Sequence, residues 1–168
     1  ADGYGSNYIH QYNSKAEYVR TWGGEGTEAG KMRCPHGIAV DIRDGEPKVL
    51  VADRANVRLQ YFNLEGKHLF DVNHDLRHPC HFDQRNGDLL IPDLHGRVTI
   101  FDKNNNLITH LGDNPDVQNR QGYPNLPQDQ RIPGLFISPH SACWDHEGNI
   151  YVVEWVSDGR VSKLRRVS

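Results

Sequence analysis

The sequence predicts an all-β fold built from repeated four-stranded units. An acidic residue, a short polar loop and an alternating strand recur four times: "ADGYGSNYIHQYN" from Ala1, "VADRANVRLQYFN" from Val51, "IPDLHGRVTIFD" from Ile91 and "VEWVSDGRVSKLRR" from Val153. Ahead of the last three comes another strand with a tight turn, in "GIAVDIRDGEPKVLV", "HFDQRNGDLLI" and "ACWDHEGNIYVV". Gly45, Gly87 and Gly148 sit at these turns, where glycine takes a positive φ without steric cost. Asp53 and Asp93 are 40 residues apart, within the roughly 40 to 50 residue period of a propeller blade. Four strands per unit with almost no helix favour a β-propeller over a β-sandwich whose hairpins resemble one another by chance.

Taken in order, the first phrase is followed by "EYVRTWG", and the second and third by outer strands in "HLFDVN" and "LITHLG". Inner strands are expected near residues 37–41, 80–84 and 141–145. That gives three to four blades in one domain spanning residues 1–168, the first without an inner strand and the last without an outer one. A propeller closes to hide its strand edges. We therefore expect the C-terminal part of a longer chain, closed by its missing half or by a second chain, over a small four-bladed ring or a half-propeller pairing with a second copy. The start at Ala1 rather than Met agrees with an earlier portion having been removed. Residues 111–138, rich in Pro, Asn and Gln, form a long insertion running into His140, and its expected place is the channel rim, as a partial lid or a surface insertion.

Composition narrows the function classes. Of 168 residues, 36% are hydrophobic and 24% charged, which suits a folded domain. No run approaches the roughly 18 to 20 apolar residues that a membrane helix needs, so no membrane span is expected. A net charge of −3 leaves no basic face for nucleic acid. Cys34, Cys80 and Cys143 make an odd count without a CxxC pair, which does not indicate a disulfide framework.

The stretch "PHGIAVD…VLVADRANVRLQYF…G" resembles the NHL repeat. Within that group the chain is most similar to the peptidyl-α-hydroxyglycine α-amidating lyases, through "DGYGSN" at Asp2 to Asn7, "PHGIAVD" at Pro35 to Asp41 with "VADRANVRLQ", and "PHSACWD" at Pro139 to Asp145. The resemblance implies a six-bladed ring and a zinc ion held by three histidines from alternate blades. His36 and His140 match two of those positions, and by blade counting the third falls before Ala1. Cys80 or His81, in "HPCHFD", occupies the same rim in the intervening blade and could supplement the pair; a buried cysteine is also an ordinary core residue. Three imidazoles with an open fourth position make a catalytic arrangement for zinc.

The resemblance also assigns Tyr4 as catalytic base and Arg54 as the pocket residue that stabilises negative charge. A free tyrosine titrates near about 10, so the role needs zinc or a guanidinium close by. The planar guanidinium suits a carboxylate-bearing substrate. Asp53, Asp93 and Glu154 read instead as loop caps or partners of nearby arginines. The lyases carry Asp where this chain has Ser141, which puts their calcium in doubt. Gly5, Leu50 and Tyr61 replace their cysteines, so their disulfides are absent. The implied activity is zinc-dependent cleavage of an α-hydroxyglycine-type peptide, in a secreted or periplasmic setting. The alternative is a non-catalytic propeller that binds a protein, peptide or glycan.

Overall fold

The computed structural model describes residues 1–167. These fall into two compact units, the first Ala1–His74 and the second starting at Asp75.

The first unit holds two antiparallel sheets. One pairs β1 (Tyr8–Tyr12) with β2 (Tyr18–Gly23). The other has the order β3 (Pro35–Asp41), β4 (Lys48–Asp53), β5 (Arg58–Phe62), β6 (His68–Val72). Burial follows the residue types. The unbroken apolar run of β4 is covered on both faces, as such a run requires. β3 alternates, and three of the five residues of β6 are exposed. The core joins Ile9, Met32, Val49, Val51 and Phe62, with Trp22 against them.

The second unit repeats the four-stranded pattern with β7 (Asp83–Arg85), β8 (Asp88–Asp93), β9 (Arg97–Phe101) and β10 (Leu107–Leu111). A three-stranded sheet follows, β11 (Pro139–Trp144), β12 (Ile150–Glu154) and β13 (Arg160–Leu164). Leu90, Val98, Phe136, Ala142, Ile150 and Val152 form its core. The long connection from β10 to β11 carries a smaller core of its own, Val117, Leu126 and Ile137. Arg131 ties that connection to Asp158 at 2.7 Å.

Helix among the described residues is confined to three short 3-10 turns, and no helix is long and apolar enough to cross a membrane. Gly45, Gly87 and Gly148 all have positive φ, as their hairpins demand. No disulfide joins Cys34, Cys80 or Cys143.

One expected strand differs. Over 80–84 the ladder forms only from Asp83, and the preceding residues touch the sheet through a single bridge, Pro79 opposite Asp93. The cause is a break that every inner strand shares. In β3 the register shifts between Pro35 and Ile38, and in β11 between Pro139 and Ser141. A residue in such a break is released from the strict alternation of the pleat, so its side chain can be re-aimed. The residues immediately after the three prolines are His36, Cys80 and His140.

Candidate functional site

Each of these residues is positioned by the same device, built three times. Pro35 pairs with Asp53, Pro79 with Asp93 and Pro139 with Glu154, and the acid accepts backbone N–H groups from the segment entering the sheet. Asp53 takes the Arg33 N–H at 2.7 Å. Asp93 takes the amides of Arg77 and His78. Glu154 takes those of Ile137 at 2.6 Å and Ser138 at 3.1 Å. An arginine completes each clamp: Arg58 on Asp53 at 2.7 Å, Arg97 near Asp93 at 3.6 Å, and Arg160 on Glu154. All three acids are buried, and a buried carboxylate persists only where such donors satisfy it. Burial lifts the Asp93 carboxyl above its ordinary range, with the His78 and Arg77 amides pulling against it. The acids thus hold chain rather than perform chemistry, as their sequence context suggested.

In the first unit the clamp organises Tyr4, Cys34, His36 and Arg54. Arg54 begins a 3-10 turn directly after Asp53 and is only 7% exposed. The Ala55 N–H donates to the Arg33 carbonyl at 3.0 Å, joining the turn to the entering chain. Arg54 donates from Nη2 to the Tyr4 hydroxyl and to the Cys34 sulfur, each at 3.0 Å. Its guanidinium carbon also lies 5.5 Å from the Tyr4 ring centre. The Tyr4 ring meets His36 edge-on, with centroids 6.1 Å apart. Gly3 permits this approach, because a Cβ there would stand 2.4 Å from the Pro35 carbonyl oxygen. Cys34 has φ of +52° and donates its N–H to Asn7 Oδ1 at 2.8 Å. A non-glycine residue held there is uncommon and costs backbone energy. Within this unit Tyr4, His36 and Arg54 are therefore brought together, and Cys34 joins them unannounced.

The second unit holds His140 beside Cys80. The cysteine is fully buried, and its sulfur and a His140 ring nitrogen lie within 4.8 Å of one another. Cys80 donates its N–H to the Pro92 carbonyl at 3.0 Å. His81 is exposed, with Nδ1 3.5 Å from Ser141 Oγ, so of the two residues open in the sequence it is Cys80 that neighbours His140. A thiol and an imidazole at this separation are donors of the borderline-soft kind that zinc takes. Nearby, His78 stacks on His95 with centroids 4.5 Å apart, and His95 meets the edge of Tyr123. Tyr123 donates to the Leu94 carbonyl at 2.8 Å.

A separate groove of about 510 Å³ in the first unit is lined by Ile9, Trp22, Ile38, Val40, Val49 and Leu64 among others, and by none of the expected site residues. Its lining is mostly apolar, with His10, Gln11 and Tyr12 as the polar exceptions.

Virginiamycin B lyase from Staphylococcus aureus, solved as an inactive H270A variant with quinupristin, resembles 97% of this chain with a TM-score of 0.58 at 10% identity. A streptogramin B lyase resembles 98% of it with a TM-score of 0.57 at 12% identity. The fold is a β-propeller fold. A propeller-like protein of unknown function from Bacteroides caccae resembles 93% of the chain, with a TM-score of 0.58 at 16% identity. This chain spans about half the length of each of these structures, 50%, 49% and 54%. No protein-family model matches the chain, and no curated protein matches it by sequence.

Proposed function

We propose that this propeller is a metal-dependent lyase of the peptidyl-α-hydroxyglycine α-amidating type, with NHL-like blades in a six-bladed ring. The observation that carries the reading is the contact of Arg54 with Tyr4 beside His36. A cationic fork, a phenolic hydroxyl and an imidazole meet in the first unit on a segment that holds Cys34 at positive φ. Two of the similar propellers are named as lyases, so this architecture hosts such chemistry.

In this reading His36 and His140 are metal ligands by equivalence, each directly following the proline of its own inner strand. Zinc held by them would supply a Lewis acid for the substrate oxygen. Arg54 binds the substrate carboxylate, for which its planar fork is suited. Tyr4 accepts the proton of the α-hydroxyl group. The C–O bond becomes a carbonyl, the C–N bond breaks with its electron pair on nitrogen, and the nitrogen takes up a proton, giving an aldehyde acid and a peptide amide. Calcium has no assigned role here, given Ser141. A full ring closed by further blades, and a secreted or periplasmic location, belong to the same reading.

The test is metal analysis together with glyoxylate release from an N-acyl-α-hydroxyglycine. Stoichiometric zinc and turnover, both lost in His36→Ala and His140→Ala proteins that retain their circular dichroism, are expected. Absence of both metal and turnover would overturn the lyase and leave a binding scaffold.

A further inference from the structure

We propose that Cys80 is a thiolate ligand of the metal assigned to His140, a donor that the histidine pattern does not contain; this rests on the metal reading above. Cys80 occupies, in its own sheet, the place that His36 and His140 occupy in theirs. It follows a proline that bridges to the clamping acid, Pro79 to Asp93, as Pro35 bridges to Asp53 and Pro139 to Glu154. It lies in the same interruption of the ladder, where a side chain is re-aimed. The repeat therefore places a metal-binding residue type at the entry to all three inner strands, and only the middle one differs in kind.

Position in the second unit supplies an independent argument. The Cys80 sulfur and a His140 ring nitrogen lie within 4.8 Å of one another, so that a small side-chain adjustment lets one ion take both at Zn–S of about 2.3 Å and Zn–N of about 2.0–2.1 Å. The other two thiols are placed differently, Cys34 against Arg54 and Cys143 on the surface. Binding displaces the Cys80 thiol proton to solvent, because the thiolate is the ligand. The site becomes of mixed nitrogen and sulfur type, which favours zinc and cobalt over the hard, oxygen-preferring magnesium and calcium.

The experiment loads the intact protein with Co²⁺ and records its absorption spectrum. A thiolate-to-cobalt charge-transfer band in the near ultraviolet is expected beside the ligand-field bands. It should persist in Cys34→Ser and Cys143→Ser and vanish in Cys80→Ser. Zinc affinity in Cys80→Ser should fall by more than the roughly 10–100-fold that loss of an outer-shell partner costs. X-ray absorption at the zinc edge of the unaltered protein avoids any folding defect of the variant and should reveal one sulfur at about 2.3 Å. Histidine-dependent cobalt binding without the band, with a nitrogen and oxygen shell alone, would overturn the Cys80 ligand and leave the metal reading standing. No metal binding at all would overturn both.

Discussion

Arg54 Nη2 stands 3.0 Å from two different acceptors, the Tyr4 oxygen and the Cys34 sulfur. The fork thereby fixes an otherwise exposed ring, since Tyr4 is 82% exposed. Arg54→Lys puts one compact charge where a planar group serves two partners. Turnover of an N-acyl-α-hydroxyglycine should fall about 100-fold or more in both Arg54→Lys and Tyr4→Phe, the scale of a lost proton-transfer group. The melting temperature of Tyr4→Phe should stay within about 1 °C of the parent, because the lost hydroxyl lies on an exposed side chain. Retained turnover in Tyr4→Phe removes the tyrosine from the chemistry.

The clamp acids should be costly to neutralise. Asp53 accepts from the Arg33 amide and from the side chains of Asn56, Arg58 and Gln60 while fully buried. Asp53→Asn leaves the Arg58 charge without its buried counterion, and urea denaturation should register a loss of about 3 kcal/mol or more. Hydrogen exchange at the Arg33 amide should accelerate beyond the change in global stability. A loss below about 1 kcal/mol would make the clamp a bystander.

Acid should act on the first unit through Asp41. Burial pushes this carboxyl up, but the hydrogen bonds from the Arg43 side chain and amide outweigh it and bring it below its ordinary 3.8. The folded state therefore releases the proton more readily than the unfolded chain. Its stabilisation is complete above the ordinary carboxylate range and is lost as pH falls through the lowered folded value. Arg43→Gln should flatten this acid limb of stability measured by denaturant titration between about pH 5 and 2. An unchanged limb would assign the pH dependence to other carboxylates.

The hairpin turns make a prediction in the opposite direction. Asn13, Asn63, Asp102 and Asp145 each accept amides two and four residues onward. The residue three positions on has positive φ in all four: Ala16, Gly66, Asn105 and Gly148. Ala16 is exposed and pays for a conformation that glycine adopts freely. Ala16→Gly should raise stability by about 1 kcal/mol, and a decrease would show that unfolded-state entropy dominates there.

Much of the fold was legible in the sequence because strand alternation and turn chemistry are local. The repeated acids marked the phase of the sheets, whereas Tyr4, His36 and Arg54 were singled out by the family resemblance of "DGYGSN", "PHGIAVD" and "VADRANVRLQ". What stayed hidden depends on backbone departures that leave no compositional trace. Cys34 enters its cluster through a left-handed φ that ordinarily marks glycine or asparagine. The choice between Cys80 and His81 turned on where the ladder of β7 breaks, and adjacent residues of a strand cannot be assigned to faces until that register is known. The cluster of His78, His95 and Tyr123 draws on a connection without a periodic pattern, so its stacking could not be anticipated.

Because each clamp grips backbone amides ahead of the proline, it is indifferent to the side chain that comes after. His36, Cys80 and His140 can therefore drift in identity while the sheet beneath them stays constant. Selection acting on this architecture could exchange one donor atom for another by single codon changes, retuning metal preference without renegotiating the fold.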